Sequence, residues 1–233
     1  ALKANPKIEQ FWLSYIDALI KEKQFDNAKQ VLEQAKKQGV AEKKLDILVG
    51  KLASINKTEK ISTLSPSQEQ LNSLVEHYQS GLFVEAEKLA ISLTKEYPKH
   101  QFGWKMLGVL YGQSGRNSEA KNVNQTAISL SPQDAEAHNN LGSALNDMGR
   151  LNEAEDSYIR AITLKPDYAQ AHSNLGKTLR ELGRLEEAEV SYVKAIGLKP
   201  DYAEAHSNLG NTLKELGRLN ESEASYTQAI SLK

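Results

Sequence analysis

From residue 133 to its end the chain repeats one pattern of apolar, small and polar positions. Leu141 and Leu145, then Leu151, Ala154, Tyr158 and Ala161, fall at three- and four-residue spacing over most of their length. That spacing gathers them on one face of a helix. Gly149 interrupts the stretch, and Pro166 ends it. The spacing predicts two short helices joined at a left-handed glycine and stopped by a proline. Asp167 and Asp201 follow the prolines and are expected to cap the next helix. Gly142, Gly176 and Gly210 fall inside the first helix of each pair, and Ala154 and Ala188 inside the second. Small residues there let two helices cross closely.

The pattern returns every 34 residues, as Gly142, Gly176 and Gly210 show. Residues 167–200 and 201–233 match at most positions, 133–166 is a third close copy, and 99–132 a looser fourth. The residues at fixed spacing are His138, Leu141, Gly142, Leu145, Ala154, Tyr158, Ala161 and Pro166 in one copy. The next has His172, Leu175, Gly176, Leu179, Ala188, Tyr192, Ala195 and Pro200, and the last keeps His206, Leu209, Gly210, Leu213 and Tyr226. The looser copy has Trp104, Leu107, Gly108 and Ala120, but Asn124 where an aromatic residue belongs, so softer packing is expected there. This period and pattern resemble the tetratricopeptide repeat. The resemblance implies an all-α, right-handed α-solenoid of helical hairpins. A degenerate copy is expected at 67–98, keeping Gly81, Phe83, Ala86 and Pro98. A further hairpin is expected within 1–55, around Trp12, Tyr15, Leu19, Phe25, Ala28, Leu32 and Ala35, with Ile16 where a small residue is usual. It is followed there by a short amphipathic helix bearing Leu45, Leu48, Val49 and Leu52. The polar stretch 56–66 reads as a linker.

Composition narrows the function. Of 233 residues, 39% are hydrophobic, a modest share that suits an array in which each repeat buries a thin layer. A net charge of −1 argues against nonspecific nucleic-acid binding and docking on anionic membranes. No apolar run reaches the length of a membrane span. With no cysteine, thiol catalysis and thiolate metal sites are excluded, and a reducing, cytoplasmic setting is expected. No phosphate-cradling glycine loop or strained serine turn occurs, so no catalytic residue and no cofactor is expected. His138, His172 and His206 recur one repeat apart, too far to share a metal. They stand in the large-residue slot held by Trp104 in the looser copy. Glu186, Glu187 and Glu189 read as solubilising charges early in a second helix.

The expected function is binding of an extended polypeptide along the groove that first helices line in this family. Asn140, Asn174 and Asn208 each precede the Leu-Gly pair. They resemble the asparagine ladder in the helical arm of bacterial O-linked N-acetylglucosamine transferase-like proteins, where the amides hydrogen-bond a bound peptide backbone. An amide both donates and accepts, so it suits any peptide backbone. Local packing is the competing reading of the same asparagines. Asn139, Lys177, Arg180, Asn211 and Lys214 complete the expected groove set. Their basic lean favours acidic partners, while a solvated charged face accounts for the same residues. Lys105 is followed one turn later by Val109, so the clamp that holds chaperone C-terminal carboxylates in some family members is not present in that form. The final hairpin leaves Leu219, Tyr226 and Ile230 without a following repeat. This suggests either a longer parent protein, with a catalytic domain beyond, or self-association through that end.

Overall fold

The structure, a computed structural model, describes residues 6–22, 24–63 and 65–232. Both termini and residue 64 of the expected linker lie outside the described residues. The described residues form thirteen helices and no strand, in two compact units, 1–64 and 65–233.

The N-terminal unit consists of α1 (Pro6–Lys21), α2 (Phe25–Lys37) and α3 (Glu42–Thr63). Ile16, Leu19, Ala28, Leu32, Leu45 and Leu48 form the centre of its core. Ile16 is fully buried, and Tyr15 points outward and stacks on Phe11. Val49 is likewise exposed, while Leu45, Leu48 and Leu52 carry the buried stripe of α3. Two acidic residues of α1 tie α3 down. Glu9 meets Lys44 at 2.8 Å, and Asp17 meets Lys51 at 2.8 Å. Hydrogen bonds from Lys51 and Lys21 hold the Asp17 carboxyl down at about 2. The expected linker at 56–66 is corrected here, because α3 continues as helix to Thr63. The polar stretch contains Lys57, Glu59 and Lys60, all good helix formers. Polarity alone did not stop the helix.

The second unit is an α-solenoid of five hairpins: α4 (Gln68–Gln79) with α5 (Phe83–Glu96), α6 (Gln101–Gln113) with α7 (Asn117–Leu130), α8 (Ala135–Asp147) with α9 (Leu151–Leu164), α10 (Ala169–Glu181) with α11 (Leu185–Leu198), and α12 (Ala203–Glu215) with α13 (Leu219–Ser231). Gly149, Gly183 and Gly217 turn the last three hairpins with φ of 72°, 77° and 78°, and Gly81 and Gly115 turn the first two. The amide after each glycine donates back to the first helix, as Arg150 N does to Leu145 O at 2.9 Å.

Within each of the last three hairpins a tyrosine ring lies close against a glycine. A Cβ placed on Gly142 would sit 2.7 Å from Tyr158 Cε1, and on Gly176 2.9 Å from Tyr192 Cε1. Gly210 and Tyr226 repeat the contact. In the last hairpin Ser222 takes the slot of Ala154 and Ala188, and its hydroxyl donates to Gly210 O at 2.8 Å.

The expected caps are corrected. Asp134 caps α8, accepting from Glu136 N and Ala137 N at 2.9 and 3.1 Å. The equivalent cap positions of α10 and α12 are Tyr168 and Tyr202, which make no side-chain cap bond, so Asp167 and Asp201 stand one residue too early. The two tyrosine rings are instead covered by the ammonium groups of Lys165 and Lys199.

Second helices are laced by arginines at the hairpin turn. Arg184 reaches Glu155 of the preceding repeat at 2.7 Å and Glu187 at 2.6 Å. Arg218 does the same with Glu189 and Glu221, and Arg116 with Glu87. Glu187 and Glu189 are therefore partners of arginine rather than merely solubilising charges. At Arg150 the cross-repeat partner is missing, because Lys121 stands there, and only Glu153 remains.

Gly176→Ala is expected to destabilise the chain by about 1–3 kcal/mol, because the ring behind it has nowhere to move. A Cβ on Gly197 of α11 would meet nothing within 4 Å, so Gly197→Ala is expected to stabilise by about 0.5–1 kcal/mol through helix propensity. Urea denaturation of both variants checks the pair. The Arg184 hydrogen bonds hold the Glu187 carboxyl below its ordinary 4.5. A depressed folded pKa adds stability above the unfolded value and loses it as pH falls through the folded one. The melting-temperature difference between the wild type and Arg184→Gln is therefore expected at neutral pH and should shrink as pH drops below 4.5. A difference that stays constant into acid would assign the effect to packing of the arginine stem.

Candidate functional site

First helices of neighbouring hairpins touch one another: α6 with α8, α8 with α10, and α10 with α12. No comparable contact joins successive second helices among the described residues. First helices therefore line the inner side of the array, where the candidate groove residues stand.

The three asparagines are half-buried on this side and differ in their bonding. Asn174 Nδ2 donates to Asn139 Oδ1 at 3.0 Å. Asn140 and Asn208 have no side-chain hydrogen bond among the described residues. Asn139 corrects an expectation. It is only 3% exposed, wedged between α8 and α10, and it fixes Asn174 rather than facing a ligand. Asn211 accepts from Tyr226 Oη at 2.7 Å, so its acceptor is already engaged. Lys177 and Lys214 are exposed and carry no ion pair among the described residues, while Arg180 Nε stands 4.0 Å from Glu215. Lys105 is bound at 3.0 Å to Asp134 and at 2.6 Å to Glu136, so it is not free to meet a carboxylate.

A second polar layer, not foreseen in the sequence, lies beside the asparagines. Asn146 Nδ2 donates to Glu181 Oε2 at 2.9 Å, and its Oδ1 accepts from the buried Thr178 hydroxyl at 2.5 Å. Its signal was present in the recurrence of a polar residue at 146, 180 and 214.

The histidines bond locally. Nε2–H of His138, His172 and His206 donates to Pro132 O, Pro166 O and Pro200 O at 3.1, 3.0 and 3.0 Å. Trp104 Nε1–H makes the same bond to Pro98 O at 3.0 Å, which explains why either residue serves the slot.

The inner face is interrupted between α6 and α8. A cavity of about 370 Å³ opens there, walled by Tyr78, Gly108, Gly112, Gln113, Asn140 and Asp147. Beside it Asn124 occupies the tyrosine slot of α7 against Gly108. Asn124 is 0% exposed, and neither amide atom has a partner among the described residues. No helix among the described residues is long and apolar enough to cross a membrane.

Comparison with known proteins agrees with this architecture. Family models match in five segments: "TPR repeat" at 142–179 and 176–217, and "Tetratricopeptide repeat" at 104–134, 124–156 and 203–233. Among solved structures the chain is similar to MamA, with 24% identity over 72% of this chain and 96% of that one, at a TM-score of 0.60. It is also similar to TTC0263, a thermophilic TPR protein of Thermus thermophilus, with 25% identity, 71% and 90% coverage and a TM-score of 0.63. PilF of Pseudomonas aeruginosa shares the fold at 17% identity, 71% and 75% coverage and a TM-score of 0.65. No curated protein sequence matches the chain. The matched segments together span residues 104–233, more than half of the chain, which belongs to the tetratricopeptide repeat family.

Proposed function

We propose that this chain is a protein-interaction scaffold that holds an extended polypeptide segment along the inner face of its first helices. The observation that carries this reading is the row formed by Asn140, Asn174 and Asn208. Two of these amides are half-buried on one face without a partner among the described residues, and the third is braced by Asn139. Half-buried amides of this kind gain by meeting a backbone that offers both N–H and C=O. Lys177 and Lys214, exposed and unpaired among the described residues, favour acidic residues along the same face. On this reading the chain supplies binding and no chemistry of its own, and it works in the cytoplasm. The recurring asparagine also supports a second reading, in which the array presents substrates to a sugar-nucleotide transferase domain carried elsewhere in a longer protein.

Peptides selected against the chain from a random display library supply ligands for the test. Changing Asn140, Asn174 and Asn208 together to Ala is expected to leave the helical circular dichroism intact. It should weaken peptide binding by about 0.5–1.5 kcal/mol for each lost hydrogen bond. Unchanged affinity in calorimetry would move the binding surface off the inner face.

A further inference from the structure

The 34-residue register shows what is missing from the cavity between α6 and α8. In the other hairpins, three positions meet where this cavity lies. In the last three a tyrosine of the second helix lies on the glycine, and in the hairpins of Tyr158 and Tyr226 its hydroxyl stands by the next position of the first helix. Tyr226 Oη donates to Asn211 at 2.7 Å in this way, and the Ser143 side chain stands near the Tyr158 hydroxyl. The tip of the Tyr158 ring also feels the carboxylates of Asp147 and Glu181. Shifted back by one repeat, those neighbours become Gly108, Val109, Gln113 and Asp147, and all four line the cavity. The ring itself is absent, because position 124 is asparagine.

A donor is absent as well. The acidic residues ending α10 and α12 each face a donor from the preceding repeat. Glu181 accepts from Asn146 at 2.9 Å, and Glu215 faces Arg180 at 4.0 Å. The corresponding donor position for Asp147 is Gly112, which has no side chain and opens on empty space. Asp147 is exposed and has no ion pair among the described residues. The cavity thus lacks both a flat ring and a hydrogen-bond donor facing a carboxylate. Its other polar walls are Gln113, braced by a 2.8 Å bond to Tyr78 Oη, Asn140 and Ser143, with Val109, Ala120 and Ala144 between them.

One side chain supplies both missing parts. We propose that this cavity is a specificity pocket for an arginine of the bound segment, whose guanidinium pairs with Asp147. A guanidinium is planar, presents several donors in one plane, and pairs with a carboxylate through two parallel bonds. Its aliphatic stem fits a site floored by two glycines. Charge decides against a partner's tyrosine or phenylalanine, which would leave the Asp147 carboxylate unpaired. This pocket rests on the groove reading and adds to it a preference for one residue type.

The probes are capped alanine-based peptides, identical except for one central arginine, citrulline or glutamate, titrated into the full chain at low salt. Binding is followed by amide chemical shifts. The arginine peptide is expected to bind and to shift the amides of Gly108, Gly112 and Asp147. The citrulline peptide, isosteric but neutral, is expected to bind about tenfold more weakly, and the glutamate peptide more weakly still. Asp147→Asn should bring arginine down to the level of citrulline. Gly112→Arg, which supplies the missing donor from within, should also abolish the preference. Equal binding of arginine and citrulline peptides, an unchanged preference in Asp147→Asn, or no binding of the arginine peptide at millimolar concentration each overturns the proposal. Asn174→Ala with Asn208→Ala lies outside the pocket and separates the two readings. If that double variant weakens all three peptides while Asp147→Asn changes nothing, the groove stands and the pocket falls. If it changes nothing while Asp147→Asn removes the preference, the pocket stands without the asparagine row.

Discussion

The contact on which the second unit depends is a tyrosine ring pressed on a bare helix backbone. At Gly142, Gly176 and Gly210 the ring comes so close that a Cβ would stand under 3 Å from it. That approach lets the two helices of a hairpin pack as one layer, and layers stack because Ala154, Ala161, Ala188 and Ala195 leave equally little bulk on the second helix. The same ring connects core to groove. In the last hairpin its hydroxyl reaches Asn211, the inner-face residue that follows the glycine, whereas the Tyr192 hydroxyl stays buried. Burial pushes the Tyr158 and Tyr192 hydroxyls well above their ordinary value, so both stay neutral and add no charge to the inner face. The tyrosine therefore works as a plug between the packed layer and the binding surface, and the inner face is closed wherever it is present.

What could be read in the sequence was what is local or repeated. The hairpins of the last three copies, their left-handed glycines and the small residues at helix crossings follow from spacing within one repeat. Features that depend on a residue of the neighbouring repeat were not legible from spacing. Asn139 looked like a groove residue because it adjoins Asn140 in sequence. Only the packing of α8 on α10 shows that its amide is spent on Asn174. Glu187 and Glu189 looked like surface charge until the arginines of two different hairpins were seen to reach them. The caps failed for a related reason. Aspartate is the better cap in isolation, but the chain follows each proline with one more residue before the helix begins, and Tyr168 and Tyr202 find their stability against lysine instead.

The cavity was legible in part. Asn124 stood out as a departure from the pattern and was read as looser packing. The more informative departure was Gly112, which looks harmless in a helix because its position faces the groove and contributes nothing to the hairpin core. The two changes make a site only together, one removing a ring from α7 and the other a donor from α6. Buried amide atoms without a partner, as in Asn124, are costly.

On the proposed reading, the two kinds of inner-face feature do different physical work. Asparagines that meet a peptide backbone gain about 0.5–1.5 kcal/mol each whatever the side chains of the bound segment, so they add affinity without choice. A charge-assisted pair at the exposed Asp147 carboxylate is worth about 1.4 kcal/mol, the tenfold expected there, and is lost for any segment without a cation at that place. One such pair discriminates between segments by about tenfold, a choice that an amide on a peptide backbone does not make. Selectivity should therefore concentrate where the repeat departs from its own pattern. The regular repeats set the direction and spacing of the bound chain, and the hairpin that has lost its tyrosine and its donor decides which chain is held.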